Sequence, residues 1–485
     1  MRSNRIVMTI IGLMLTLALA ACSGGTGGNS GGSGNNAGSA DNGANAGGNG
    51  AGNGGNAGAN NGTGASDDAN AAGGDNAGAD DSGSQATPDM DFDMGGRTIK
   101  VVSWWDMTIP EDNPDNIARK KNLEALEKKH NFKMQFIAID YGEYQQKVTA
   151  SLLAGEPIGD IVRLGKSYTI PALVKQDLLW PIDEYTKNSK VFNQKVTNEF
   201  MQYNGRGYGF SEGQGNLITG IFYNRTLMNQ LGIKPLEDYV KADNWNWDTF
   251  VQVAKEANKD TNNDGKLDTW GLASAGFMDA ALVSDEAALT NGNKESLDDP
   301  KTVEVLNFLS RLATEKVARP TEGGDWTEPG QFFRQGNTLM YAGAIYEIGG
   351  LKTDMKDYDI GFVPFPKGPS ASAYHSVEPL FQALTIPKKV EHPEQLMYIW
   401  EKINDIDSIY DYPDQASLES NFENEDDIQN ARTAGDGMLV LDHNTFPKLP
   451  YNDILGDITK GNSVSTVVAK YKAPVQAAID EVYKK

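Results

Sequence analysis

From Ser23 to Pro88 the chain offers nothing to bury: its only residue types are Gly, Ala, Asn, Ser, Asp, Thr, Gln and Pro. Without Val, Ile, Leu or an aromatic ring, no core forms. Residues 23–96 are therefore expected to be a disordered Gly/Asn/Ala-rich tether, spanning on the order of 50 Å. Two catalytic-looking strings in it are accidents of composition. Gly28-Asn29-Ser30-Gly31-Gly32 matches a hydrolase elbow, and Gly50, Gly52 and Gly55 match a dinucleotide fingerprint. Neither has the flanking strand and helix that such a motif needs. Folding falls to the 389 residues from Arg97 on. That is too long for one core and suits two domains.

The chain carries 66 acidic and 43 basic residues. Nine of the acids lie in the tether, so the body itself is acidic. Phosphate needs a basic face, so no nucleic-acid partner is expected.

Arg2 and Arg5 precede an uncharged apolar stretch, Ile6 to Ala21. This is the layout of a secretory signal peptide over residues 1–22. It ends in Leu19-Ala20-Ala21-Cys22, followed by Ser23 and two glycines. That string resembles the lipobox of bacterial lipoproteins. The resemblance implies a diacylglyceryl group on Cys22, cleavage before it, and a membrane lipid anchor outside the cytoplasm. Cys22 is the only cysteine, which excludes an internal disulfide, a cysteine metal cluster and a thiol nucleophile in the body.

The body reads as alternating strands and helices. Thr98 to Ser103 is strand-like, and Asn113-Pro114 is an N-cap with proline at the first helical position. A helix to about His130, a strand at Lys133 to Ile139 and a helix carrying Tyr144, Val148 and Leu152 follow. Asp160 to Leu164 is a short strand. A second alternating region runs through strands at 217–223, 338–345, 359–363 and 381–386. Its helices are expected at 247–258, 301–314, 393–404 and 463–482. Such alternation implies βαβ units and a mainly parallel sheet.

From about Gly96 to Lys485 the chain resembles the sugar-type extracellular solute-binding proteins of ABC importers. The likeness is carried by Ile99 to Trp105 (IKVVSWW), Asp160-Ile161-Val162 and Tyr208 to Asn224 (YGFSEGQGNLITGIFYN). It continues through Trp247 to Phe250 (WDTF), Phe333 to Tyr346 (FRQGNTLMYAGAIY) and Tyr358 to Pro366 (YDIGFVPFP). Leu339-Met340 and Tyr346 depart from the family's usual Ala-Met and Trp. The resemblance implies an α/β, two-lobe periplasmic-binding-protein-like fold with a central ligand cleft and a multi-segment hinge. One lobe would hold 97–213 and 378–440, the other 214–377 and 441–485. It also implies a monomer that hands a carbohydrate, expected to be an oligosaccharide, to ABC permease subunits. No phosphate-binding lysine motif occurs in the body, so permease and ATPase are separate chains.

In open α/β sheets, ligands bind beyond the carboxyl ends of strands. Sugar rings pack on aromatic faces, and their hydroxyls need polar partners. Trp104, Trp105, Asp106, Arg163, Tyr168, Gln214, Trp326, Tyr346, Glu347 and Glu378 are therefore the candidate ligand-binding residues. Side chains alternate along a strand, so Trp104 and Trp105 should face opposite ways. Trp180, Trp247 and Trp400 read as packing residues. Asp260, Asn262, Asp264, Lys266 and Asp268 fall at calcium-loop spacing, with Gly265 at the sharp turn. A bidentate acid is missing at the twelfth position, where Gly271 stands. A structural calcium ion is the one cofactor expected, with no organic cofactor. The four histidines (His130, His375, His392 and His443) show no ligand spacing. No catalytic residues are expected. A receptor for a peptide or a sensor-kinase partner, and a glycoside-acting enzyme, are the alternatives.

Overall fold

A computed structural model describes residues 87–212, 218–321, 325, 327–378, 381–412 and 414–483. The expected signal peptide, the lipidation site Cys22 and residues 23–86 of the tether lie outside the described residues.

The described chain opens with β1 (Arg97–Ser103), α1 (Pro114–His130), β2 (Phe132–Ala138), α2 (Tyr141–Ala154) and β3 (Ile161–Gly165). After a first crossing come β4 (Thr219–Asn224), α3 (Trp247–Ala257), β5 (Trp270–Leu272), α4 (Pro300–Thr314), β6 (Thr338–Ala344) and β7 (Ile360–Val363). β8 (Val377–Glu378) leads back to β9 (Gln382–Thr385) and α5 (Pro393–Asn404). The chain then runs through α6 (Gln415–Asn421), α7 (Glu425–Asp436) and β10 (Leu439–Val440) to α8 (Val464–Tyr483).

Local chemistry sets several of these bounds. The Asn113 side chain accepts the Asn116 N–H at 2.9 Å, Pro114 starts α1, and Asn131 closes it in the left-handed region at φ 53°. Asn246 and Thr249 form a reciprocal capping box on α3.

Two four-stranded sheets result. The first has the order β9-β3-β1-β2, with β1 parallel to both β2 and β3 and β9 antiparallel to β3. Successive side chains of β1 serve opposite faces. Val101 packs with Ile161, Leu384 and the α5 residues Leu396 and Ile399. Val102 packs with Tyr144, Val148 and Leu152 of α2. The second sheet has the order β7-β4-β6-β5. Here β4 is antiparallel to both β6 and β7, so this sheet is mixed rather than mainly parallel. Its two faces bury Ile221, Tyr223 and Met340 on one side and Phe222 and Phe362 on the other.

Each sheet with its helices forms one lobe. The described chain leaves the first lobe after 212, returns to it from 381 and leaves again after 405, and Met438 and Val440 touch it once more beside Met201, Phe381 and Ala383. Within the expected segment 378–440, residues 414–436 depart from the first lobe. Leu418 of α6 and Ile428, Ala431 and Ala434 of α7 pack against Phe222 and Phe362 of the second sheet. The buried Asp427 meets Arg225 at 2.9 Å and accepts the Phe362 N–H at 2.9 Å. Residues 414–436 thus belong to the second lobe. β8 and β10 pair in parallel at the hinge, and the Thr219 hydroxyl bonds both the N–H and the carbonyl of Val377.

The tether also ends earlier than expected. Met90, Phe92 and Met94 lie against the first core. The Phe92 ring stacks on the buried His130 at 4.0 Å, and the Phe92 carbonyl meets His130 Nδ1 at 3.0 Å. Lys402 donates to the Thr87 carbonyl, and Tyr398 to Asp89. Residues 87–94 form a strap along α1 and α5 instead of a coil. Their alternating apolar side chains fill the groove between those helices. Truncating Phe92 removes half-buried ring surface, so Phe92→Ala should lower unfolding free energy by about 2 kcal/mol. Urea unfolding of the whole chain checks this, and an unchanged midpoint would place the strap outside the folded unit.

Candidate functional site

Parallel pairing makes β1, β2 and β3 end at the same edge of the first sheet. Trp104 and Trp105 follow β1, Tyr141 follows β2, and Tyr168 lies just beyond β3. Trp104 turns inward, edge-on to Tyr144 at 5.4 Å, with its other edge toward Tyr141 at 6.0 Å. Trp105 turns outward and remains exposed, 4.6 Å from Trp104 and nearly perpendicular to it. Tyr144 ties β1 to β3 beneath them: its hydroxyl donates to the carbonyls of Val102 and Arg163 at 2.8 and 2.7 Å.

Arg163 rises from β3 to a point 4.6 Å from the Trp105 ring centre. Burial pulls the pKa of its guanidinium down, while the nearby Glu212, Tyr144 and Glu378 act against that shift. Among the described residues its Nε has no hydrogen-bond partner. Glu212, on the first crossing, accepts the Trp400 indole N–H at 3.2 Å.

The second lobe answers with the turn that follows β6. Tyr346 is 72% exposed there, and Tyr141 of the first lobe is 61% exposed. Partial desolvation raises the Tyr346 pKa, and the charges of Glu347, Glu378 and Tyr141 add to the rise. Tyr141 of the first lobe and Glu378 of the hinge strand both contribute to the electrostatic surroundings of Tyr346, and Glu378 also to those of Arg163.

Trp104, Trp105 and Arg163 are therefore brought together, with Arg163 5.9 Å from the Trp104 ring centre and 4.6 Å from that of Trp105, while Tyr346 lies on the turn after β6 and Glu378 on β8. Asp106 lies beside Trp105, but its carboxylate accepts the N–H and hydroxyl of Thr108 at 2.9 and 2.6 Å, which holds its pKa low. Glu347 accepts from the Tyr341 hydroxyl at 2.9 Å and the Ala344 N–H at 3.0 Å, so it shapes the turn bearing Tyr346. Tyr168 stands exposed on a helical turn past β3. Gln214 and Trp326 lie outside the described residues.

Sequence reasoning missed Tyr141 and Glu212. The strand-end rule that selected Trp104 also reaches Tyr141, since β2 ends three residues before it. Glu212 carries no local signal. Trp400 is buried as expected, yet its indole N–H faces the site.

A cavity of about 300 Å³ opens beside Trp105 and is lined by Arg163, Glu212 and Trp400 among others. A larger one, about 870 Å³, lies by Arg225, Lys352 and Asp359 at the other edge of the second sheet. It contains none of the expected site residues.

The loop at 260–268 has the oxygen chemistry of a calcium loop, with Gly265 at φ +85°. Its oxygens close the turn on itself. Asp260 accepts the N–H groups of Asp264 and Gly265, and Asn262 accepts that of Asp264. Asp264 accepts the Lys266 N–H, and Asp268 takes the N–H and hydroxyl of Thr261. Among the described residues no group of three or more His, Cys, Asp or Glu converges to hold a metal.

The family model for bacterial extracellular solute-binding proteins matches residues 112–402. The arabinooligosaccharide-binding protein of Bacillus subtilis (strain 168) is 24% identical over 274 residues, which is 54% of this chain and 59% of that relative. The chain thus matches little more than half the length of that relative. Among solved structures, a cyclo/maltodextrin-binding protein complexed with maltotetraose is similar at a TM-score of 0.56 and 16% identity, covering 78% of this chain and 96% of that one. The GacH receptor of Streptomyces glaucescens reaches 0.56 at 14% identity, covering 80% and 98%. At these identities the likeness is one of fold: two lobes about a cleft.

Proposed function

Because the chain belongs to the bacterial extracellular solute-binding proteins, a family of binding proteins rather than enzymes, we propose that it captures an oligosaccharide between its lobes and delivers it to an ABC permease. The observation that carries this reading is the aromatic arrangement at the lobe junction. Trp105 of the first lobe is exposed beside Arg163 and Glu212, and Tyr346 of the second lobe is exposed on the turn after β6, where the Ile345 N–H bonds the carbonyl of Ile218 at the first crossing. Sugar rings offer apolar C–H faces to such rings and hydroxyls to such polar groups. The named ligands of the similar proteins, arabinooligosaccharide, maltotetraose and acarbose, are of this class. Ligand that touches both lobes favours the closed form by its differential affinity, and the closed form is what a permease reads.

The family is extracellular. A lipid anchor at Cys22 is the finer part of the proposal, resting on the Leu19-Ala20-Ala21-Cys22 string. Among the described residues no helix is long and apolar enough to cross a membrane. One diacyl anchor followed by a long polar linker would hold the receptor at a surface while leaving it free to reach its permease.

A structural calcium ion at the 260–268 loop is a separate proposal, resting on donor spacing alone. Calcium should then raise the unfolding midpoint over that in chelator, and Asp260→Ala should remove the difference. Equal midpoints in calcium and chelator would contradict it.

For the sugar reading, ligand at 100 times its Kd adds about 2.7 kcal/mol of stability. A panel of mono- and oligosaccharides should yield one class that raises the midpoint by a few degrees. Tyr346→Ala should weaken that ligand at least tenfold by calorimetry. A folded chain that answers to no sugar would contradict the proposal.

A further inference from the structure

Two arginines line the 300 Å³ cavity beside Trp105. Arg163 comes up from β3, and Arg119 comes from the second turn of α1. Much of the remaining wall is apolar, including Met134 and Phe136 of β2. A guanidinium stays charged, and taking it out of water is costly unless acceptors receive it. In each of these two, Nε is buried and has no hydrogen-bond partner among the described residues. Arg119 Nη1 reaches Asn116 Oδ1 at 3.3 Å, and Arg163 lies over the Trp105 ring.

Arg225 shares the unpartnered Nε and differs in its ion pairs. It is also largely buried, and it meets Asp427 at 2.9 Å and Asp359 at 2.7 Å. No such ion pair reaches Arg119 or Arg163 among the described residues. Two acids do face the cavity. Glu212 is held by the Trp400 indole, and Asp106 by Thr108. Neither closes on a guanidinium.

We propose that this cavity is an acidic-sugar subsite, in which Arg119 and Arg163 receive the carboxylate of a hexuronate unit of the ligand. The proposal rests on the carbohydrate reading of the cleft and names the class within it. A carboxylate accepts two N–H groups from a guanidinium in one plane, which a hydroxyl does not match. The sugar ring bearing it presents an apolar face to Trp105 and hydroxyls to Asn116 and Glu212. The volume lies at the small end for ligand pockets, so it suits one ring of a chain whose remainder runs along the cleft. The acidic body repels an anion only weakly from afar, since salt screens beyond roughly 8 Å. Contact with the two arginines decides.

The test is calorimetry on the full chain with two series of equal length. One is oligomers of galacturonate, glucuronate, mannuronate and guluronate. The other is the neutral galacto-, gluco- and manno-oligomers. The quantity read is the ratio of affinities, acidic over neutral. At least one uronate should bind tenfold or more tighter than its neutral counterpart, and that preference should fall with added salt in the unaltered protein. Arg119→Gln should cut the ratio about tenfold, and Arg119→Lys, which keeps the charge and loses the planar fork, should fall between Gln and the unaltered protein, with unliganded midpoints confirming that both variants fold. Tighter binding of neutral oligomers, or a ratio that Arg119→Gln and salt leave intact, overturns the subsite and leaves the carbohydrate reading standing. Binding of no sugar in either series overturns that reading and the subsite with it.

Discussion

Parallel pairing of β2, β1 and β3 forces three successive segments to leave the first sheet at the same edge. The rest of the site depends on that geometry. Residues nearly forty apart in sequence, such as Trp104 and Tyr141, meet because their strands share a direction and a register, with Ser103 opposite Ala138. Tyr144 strengthens the arrangement by bridging the carbonyls of β1 and β3 under Trp104. The second sheet solves the same problem with a different pattern. Because β4 runs antiparallel to β6, the start of β4 and the end of β6 lie side by side, with Thr219 opposite Ala344. The hinge crossing and the turn bearing Tyr346 therefore emerge together.

Regular structure between the lobes is short, and side chains add to it: Lys166 pairs with Asp442, and Lys175 donates to the Val482 carbonyl. A two-residue parallel pair, Val377–Glu378 with Leu439–Val440, and the two hydrogen bonds of Thr219 to Val377 are the regular structure at the hinge. Glu378 sits on that strand and contributes to the electrostatic surroundings of both Arg163 and Tyr346. A ligand that bonds Glu378 would touch the moving joint as well as both walls.

Much of this fold was legible in the sequence because its signals are local. Asn113-Pro114 marks the start of α1, and the 144, 148, 152 spacing marks the buried face of α2. Pro393 to Asn404 came out with the bounds the structure has. The errors are long-range. Ile428, Ala431 and Ala434 mark a helix face, but nothing in their spacing says which sheet receives it. Met90, Phe92 and Met94 are three apolar residues in a polar stretch, and they matter only where α1 and α5 leave a groove. In the site, Trp104, Trp105 and Arg163 followed from strand ends. Arg119 did not, because one arginine on a charged helix looks solvated until β2 and α5 are seen to close over it.

The central claim is that the junction of the lobes is where ligand binds, and that binding closes them. The most direct measurement is the distance between spin labels on opposite lobes, at Glu143→Cys and Lys352→Cys in a Cys22→Ser background. These positions are exposed on the first and second lobes. Saturating oligosaccharide should shift the distance distribution to a single, shorter population. An unchanged distribution, with binding verified by calorimetry, would contradict the account.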